Sequence, residues 1–256
     1  MRIGIMGLGV VGAAIYKVMR LFHDEVRGFD TDAGKTRNTL DEVFETDAIF
    51  LCLPTSLDDR GRLDTSTMTA YLTQLQMQSY RGLVIIKSTL PLNYLKTARR
   101  YDLRVLYCPE FSHEKTVIEE MVSVAYVVMS GSEEDCSEYK KILYWVPTEC
   151  FQVVDDRTAE MVKLVMNAFA CTKVSFVNEI EGICRIHGAD VEKVMEMLRL
   201  DGRCAPAYSY PNKGAYEGKC LEKDIQELIN STRSIVLLKA VERVNIRTRL
   251  YYRQRS

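Results

Sequence analysis

Long apolar runs are missing from this chain of 256 residues. None reaches the roughly 18 residues that a membrane-spanning helix needs, so no helical span and no membrane partner are expected. Paired cysteine motifs are missing too. The eight cysteines, at positions 52, 108, 136, 150, 171, 184, 204 and 220, form no C-x-x-C pair, lie mostly inside apolar runs and follow no secretory leader. That usage reads as reduced thiols in a cytoplasmic protein, not as a disulfide framework. Histidine is scarce: His23, His113 and His187 stand too far apart for a metal-ligand cluster, so no metal is expected and all three read as surface or structural residues. Charge of one sign is not in excess. A formal net charge of -1 gives no general attraction for nucleic acid or acidic lipid, and the basic stretch "ERVNIRTRLYYRQRS" reads as a solvated helix end. Internal repeats and low-complexity linkers are absent as well.

What remains is an ordinary globular composition, 47% hydrophobic and 27% charged, with apolar material for one large core or two modest ones. The opening "MRIGIMGLGVVGAAIYKVM" is a short β-branched run, a glycine turn and then a segment of helical spacing, the start of a βαβ unit. Short apolar runs recur in "EVRGFD", "DAIFLCLP", "GLVIIKST", "RVLYCPEF" and "AYVVMSG", separated by helix-compatible stretches such as "TSTMTAYLTQLQMQ". Near-continuous hydrophobicity in such runs predicts a parallel sheet covered on both faces.

The texture changes near Asp155. "RTAEMVKLVMNAFACTKVSFVNEIEGICRIHG" keeps helical periodicity without a proline, and "DVEKVMEMLRL" opens another helix with Asp190 as N-cap. "DGRCAPAYSYPNKGAYEGK" interrupts the periodicity, which "DIQELINSTRSIVLLKAVERVNIRTRLYY" then resumes. The expected architecture is a Rossmann-type, doubly wound, mostly parallel α/β sheet over residues 1–155, followed by an all-helical domain over 156–256.

Gly7, Gly9 and Gly12 form G-x-G-x-x-G directly after a strand and at the mouth of a helix. The first permits a tight turn, the second lets the backbone approach a pyrophosphate, and the third allows close helix packing beside unpaired N–H donors. Asp30 closes the second strand, 18 residues after Gly12, where a carboxylate accepts from a ribose 2′-hydroxyl and repels a 2′-phosphate. The pattern therefore predicts NAD in preference to NADP.

Further pieces follow in a fixed order: "GLGVVG", "LCLPTS", "KSTLP" at 87–91, "CPEF" at 108–111, "AEMVKLVMNAFACTKVSFVNEIEGIC" at 159–184 and "GKCLEKD" at 218–224. On these motifs the chain resembles the UDP-glucose/GDP-mannose dehydrogenase family over about residues 1–230. The resemblance implies oxidation of the C6 primary alcohol of a nucleotide sugar, with UDP-glucose to UDP-glucuronate as the leading case, through two hydride transfers to NAD. Between the two stages the aldehyde has to be held, which a thiolate achieves as a thiohemiacetal that the second transfer turns into a thioester. Cys220 matches that nucleophile. From the residues alone a buried, inert thiol is the preferred reading; the resemblance turns it to the nucleophile, with Lys219 and Lys223 beside it and Asp224 as the start of a helix whose positive end favours a thiolate.

The resemblance assigns further roles. Lys163 and Asn167, four apart on one expected helix, face the same point and stabilise an oxyanion. Glu110 assists proton transfer and thioester hydrolysis, while Thr89 and Asp224 position the water. Val10 and Val11 in the glycine loop, Pro54, Thr55, Thr89 and Lys223 are expected around the cofactor. A homodimer through the helical domain is expected, because "SIVLLKAVERV" has the apolar face that such packing needs.

Three features depart from the family pattern. Only about 16 residues separate Asp30 from "DAIF". Ala215 and Glu217 stand where the family's loop before the nucleophile carries glycines, which bears on substrate binding. The chain also reads as a short form lacking the family's C-terminal nucleotide-binding domain. Two alternatives stay open: a single-hydride dehydrogenase of the 6-phosphogluconate and β-hydroxyacid group, which needs no cysteine, and an NAD-binding dimeric scaffold whose substrate site has decayed.

Overall fold

The computed structural model describes the chain apart from residues 114–115, 202–203, 205–206, 219, 232–234 and 255–256. Two compact units result: Met1–Thr55 with Leu63–Lys163, and Ser56–Arg62 with Leu164–Ser256.

In the first unit the opening apolar run and the next four become β1 (Ile3–Met6), β2 (Val26–Phe29), β3 (Ala48–Leu51), β4 (Leu83–Ile86) and β5 (Arg104–Tyr107). All pair in parallel, in the order β2-β1-β3-β4-β5. Alternation along each strand divides the core. Ile3, Ile5, Phe50, Ile85 and Leu106 face one side, where Ile15 of α1 (Val10–Phe22) and Tyr139 of α6 (Glu133–Ile142) cover them. Met6, Ile49, Leu51, Val84 and Ile86 face the other, under Met68 and Leu72 of α3 (Ser66–Met77). Because both faces are covered, no polar residue is tolerated in β1, β3 or β4, and each fully buried large aliphatic side chain stabilises the unit by about 1.5–3 kcal/mol.

The chain leaves β1 for β2 on one side and returns to β3 on the other. Loops at the carboxyl ends of β1 and β3 therefore diverge and open a crevice, the usual ligand position in such sheets. Between β2 and β3 the short connection forms turns and α2 (Leu40–Phe44) instead of a further outer strand; Thr39 and Glu42 close a reciprocal capping box on it. A second parallel pair, β6 (Val127–Met129) and β7 (Phe151–Val153), is tied to the main sheet by two 2.9 Å backbone hydrogen bonds between Tyr107 and Ser130.

Helix α7 (Asp156–His187) begins where the sequence texture changes, and α8 (Val191–Leu200) is capped by Asp190, whose carboxylate accepts from the Glu192 and Lys193 amides. The last periodic stretch is two helices, α9 (Leu221–Ser231) and α10 (Leu237–Arg253), with Asn230 and Ser231, poor helix formers, at the end of the first. The compact units divide within α7, between Lys163 and Leu164, and the separate segment Ser56–Arg62 belongs with the helices. Charge explains that last assignment. Glu227 of α9 has no solvent exposure, and Arg62 supplies its counter-ion through a fork, Nε to both carboxylate oxygens at 2.9 Å and Nη2 to one at 2.6 Å. Asn230 adds a 2.9 Å bond to the Gly61 carbonyl.

Arg62→Met removes the fork that Arg62 gives to a buried carboxylate, and the partial exposure of Arg62 moderates the loss; we expect destabilisation by about 1–3 kcal/mol in urea unfolding. Adding Glu227→Gln should recover a large part of it.

Candidate active site

The glycine loop has the geometry its spacing predicts. Gly7 takes a positive φ of 87°, and its N–H donates to the Phe29 carbonyl at 2.9 Å. A Cβ on Gly12 would sit 1.8 Å from the Gly7 oxygen, so α1 can approach the turn only through glycine. A Cβ on Gly9 would meet nothing within 4 Å. That open space lies at the first turn of α1, where the amides of Val10 and Val11 start the helix without a side-chain cap, a cradle suited to a pyrophosphate. The Leu8 amide donates to Asp30 at 2.6 Å and the Asp32 amide at 2.8 Å, which fixes the carboxylate beside the loop while leaving lone pairs for ribose hydroxyls. These residues fit a dinucleotide.

At the carboxyl end of β3, exposed Pro54 and buried Thr55 follow Leu53, whose amide and carbonyl both bond the Ser88 hydroxyl, at 2.8 and 2.7 Å. Ser88 thus staples "LCLPTS" to "KSTLP" and seats Thr89, also buried, next to it. Lys87, one residue earlier, is buried and pairs with Glu110 at 3.2 Å; its ammonium also donates to the Cys108 sulfur at 3.5 Å, as does the Tyr139 hydroxyl at 3.4 Å. The second Glu110 oxygen accepts from the amides of Phe111 and Ser112, each at 3.0 Å, and from the Ser112 hydroxyl at 2.5 Å. Burial works to raise the Glu110 pKa, but Lys87 and Ser112 outweigh it and hold it below the usual carboxylate range. Burial likewise opposes the Lys87 charge, and neighbouring Cys108, Tyr139 and Glu110 overcome it, pushing its pKa well up. Glu110 is therefore a fixed anion. These groups border a cavity of about 360 Å³ in the first unit, which Phe50, Trp145 and α1 also line. Lys163 lies 5.4 Å over the Phe111 ring in the same unit.

The second unit assembles the other group. Cys220 is exposed and immediately precedes α9, three residues earlier than a helix starting at Asp224; its carbonyl accepts from the Asp224 amide at 3.2 Å. The earlier start puts the sulfur at the helix's positive end. Asp224, in the first turn, has no solvent exposure and is held by Asn167 Nδ2 at 2.6 Å and Lys223 Nζ at 2.7 Å. One N–H of Asn167 remains beyond that bond, and a carboxylate with two donors keeps lone pairs for water. Lys219 lies outside the described residues. Burial pushes the thiols of Cys52 and Cys171 up to about 12, which leaves both protonated at neutral pH and unsuited to attack.

Within the units, then, Asn167, Lys223 and Asp224 meet each other, and Gly7 to Gly12 meet Asp30. Motif spacing points to Thr89 and to neither Ser88 nor Lys87, whose signal is a lysine directly after an apolar strand. Arg249 and Asn245 of α10, which hold the loop before Cys220, carried no signal beyond a helical repeat.

Residues 34–146 match the NAD binding domain of the UDP-glucose/GDP-mannose dehydrogenase family, and residues 157–247 match its central domain. UDP-glucose 6-dehydrogenase of Pseudomonas aeruginosa is 28% identical over 233 residues, 83% of this chain and 51% of that protein; the enzyme of the same name from Haloferax volcanii is 28% identical over 237 residues, 82% and 53%. The chain spans about half the length of these curated relatives. Among solved structures, a UDP-glucose dehydrogenase from Pyrobaculum islandicum superposes with a TM-score of 0.86 at 23% identity, over 95% of this chain and 67% of that one. A UDP-D-ManNAc dehydrogenase from Pyrococcus horikoshii gives 0.86 at 21%, over 98% and 69%. A 3-hydroxyisobutyrate dehydrogenase from Mycobacterium tuberculosis gives 0.72 at 16%, over 94% and 91%. With two successive domains of one family matched in order on a parallel sheet and a helical unit, the chain belongs to the UDP-glucose/GDP-mannose dehydrogenase family.

Proposed function

We propose that this chain oxidises the C6 primary alcohol of a nucleotide sugar to a carboxylate through a covalent stage on Cys220, with UDP-glucose to UDP-glucuronate as the first pair to test. One observation carries this reading: an exposed thiol opens a helix whose first turn buries Asp224 against Asn167 and Lys223. NAD, when bound, supplies the hydride acceptor. Loss of a hydride and a proton from the C6 alcohol leaves the aldehyde; the Cys220 thiolate adds to its carbon, the thiohemiacetal loses a second hydride and a proton to become a thioester, and water cleaves that to release acid and thiol. Lys163 and the remaining N–H of Asn167 donate to the oxyanion, Asp224 and Thr89 orient the water, and Glu110, held ionised, receives its proton. Gly7, Gly9, Val10, Val11, Gly12, Asp30, Pro54, Thr55, Thr89 and Lys223 serve the cofactor. A cytoplasmic location belongs to this reading, because a free thiol nucleophile needs a reducing compartment; no described helix is long and apolar enough to cross a membrane.

A second reading, single hydride transfer without a thiol, is favoured by the near-complete mutual coverage with the 3-hydroxyisobutyrate dehydrogenase, a likeness of fold. A homodimer through the helices is also part of the proposal. Val165, Phe169, Phe176 and Ile183 recur along α7 at helical spacing, and each is 47–63% exposed.

With a panel of UDP- and GDP-sugars, about two NADH per sugar are expected, and Cys220→Ser should reduce turnover by roughly a thousandfold. One NADH per substrate on a small hydroxy acid, undiminished in that variant, selects the second reading. Asp30→Ala should weaken NAD binding roughly tenfold by calorimetry and narrow its advantage over NADP. Phe169→Lys should convert a dimer to a monomer in sedimentation velocity; a wild-type chain already monomeric at high concentration removes the dimer from the reading.

A further inference from the structure

Strand alternation puts a cation into the apolar face of the sheet. Phe50, Ile85 and Leu106 point to the side that α1 and α6 cover, and two residues further along the three strands come Cys52, Lys87 and Cys108. The ladder keeps its register that far: the Cys52 amide donates to the Met6 carbonyl at 2.8 Å, that of Lys87 to Leu51 at 2.9 Å and that of Cys108 to Ile86 at 3.0 Å. The repeat that buries Ile85 therefore buries Lys87 as well, and its ammonium has to be neutralised inside the fold.

Glu110, two residues past Cys108, supplies the counter-charge at 3.2 Å, with the two side chains only 7% and 15% exposed. The carboxylate is divided between its partners. Oε1 accepts from the Phe111 and Ser112 amides and the Ser112 hydroxyl, while Oε2 takes Lys87 and keeps a lone pair. A second Lys87 N–H goes to the Cys108 sulfur, which Tyr139 also bonds. Burial pushes Cys52 up to about 12 and raises Tyr126 and Tyr139, so these neighbours stay neutral near pH 7. His113 and Glu120, which also border the cavity, pair with each other at 3.1 Å, and Lys163 lies over the Phe111 ring. An apolar pair of similar volume would hold β4 and β5 together about as well, because a buried ion pair seldom stabilises more than the residues it displaces. What the pair adds is a charge fixed at one oxygen.

We propose that Lys87 is the positioning residue of Glu110: it holds Oε2, the oxygen that the Phe111 and Ser112 amides leave unused, in one place and keeps the carboxylate anionic and ready to accept a proton. The inference rests on Glu110 being the proton acceptor of the proposed reaction, and Lys87 acts in it only through Glu110. Its consequence is a pH dependence. Lys87 and Ser112 hold Glu110 below the usual carboxylate range against burial, and a base works only above its own pKa, so the acid limb of turnover lies below that range too. Without Lys87, burial acts against Ser112 alone, the pKa rises, and the limb moves to higher pH.

The test is a 13C NMR titration of the Glu110 carboxyl in the full chain, labelled at glutamate and assigned by the signal lost in Glu110→Gln. Neither sugar nor NAD enters this measurement. The wild-type group should titrate below the usual carboxylate range, and in Lys87→Met its titration should move upward. Where Lys87→Met does not fold, Lys87→Gln, which keeps N–H donors but no charge, should show the same upward movement. With a sugar that the wild type oxidises, either variant should lose kcat roughly tenfold in mildly acidic solution at little-changed KM and regain it as pH rises. A purely structural role for Lys87 would lower kcat alike at every pH. A wild-type Glu110 that titrates within or above the usual range, or an unmoved titration in a folded Lys87 variant, overturns the proposal. If the titrations behave as expected while no sugar yields NADH, the hold of Lys87 on Glu110 stands and the oxidation reading fails by itself.

Discussion

A carboxylate without solvent contact has to find its cations inside the fold, and α9 carries two of them on one face. Asp224 and Glu227 are three residues apart and both fully buried, so each repels the other unless separately neutralised. Lys223 and Asn167 serve the first; Arg62 serves the second. The rest of the second unit follows from that arrangement. The segment Ser56–Arg62 is drawn away from the sheet domain that precedes and follows it in sequence, α7 must present Asn167 to α9, and Cys220 is left at the open end of the helix.

Burial also sets one thiol apart from several others. Cys52 and Cys171 sit where burial keeps them protonated, and Cys108 and Cys136 are buried, whereas Cys220 is exposed at a helix N-terminus. In the first unit the same logic gives the opposite outcome for Glu110. A buried carboxylate beside Lys87 with three donors on its other oxygen is held ionised, so its contribution to stability is present above the normal carboxylate range and is lost as pH falls through its lowered value.

Family membership and local geometry agree on the cofactor half. Gly12 can be only glycine because the Gly7 carbonyl occupies the place of its side chain, and the position of Gly9 opens to solvent where a phosphate can approach. The loop before Cys220 agrees less with the family pattern. There α10 replaces the freedom of glycine with a fixed set of bonds from Asn245 and Arg249.

Periodicity and turn chemistry alone were enough for the parallel sheet, the start of α7 after Asp155, the Asp190 cap and the glycine loop with Asp30, since each depends on residues close in sequence or on a repeat of two or 3.6. Resemblance, not spacing, singled out Cys220, Asn167 and Asp224, and the bond between the last two spans 57 positions. Lys87 against Glu110, Arg62 against Glu227, and Arg249 against Glu217 and Glu222 were decided only by the tertiary structure. An isolated charge in a sequence carries no information about its partner, because the desolvation that makes the pairing obligatory exists only after the chain has folded around it.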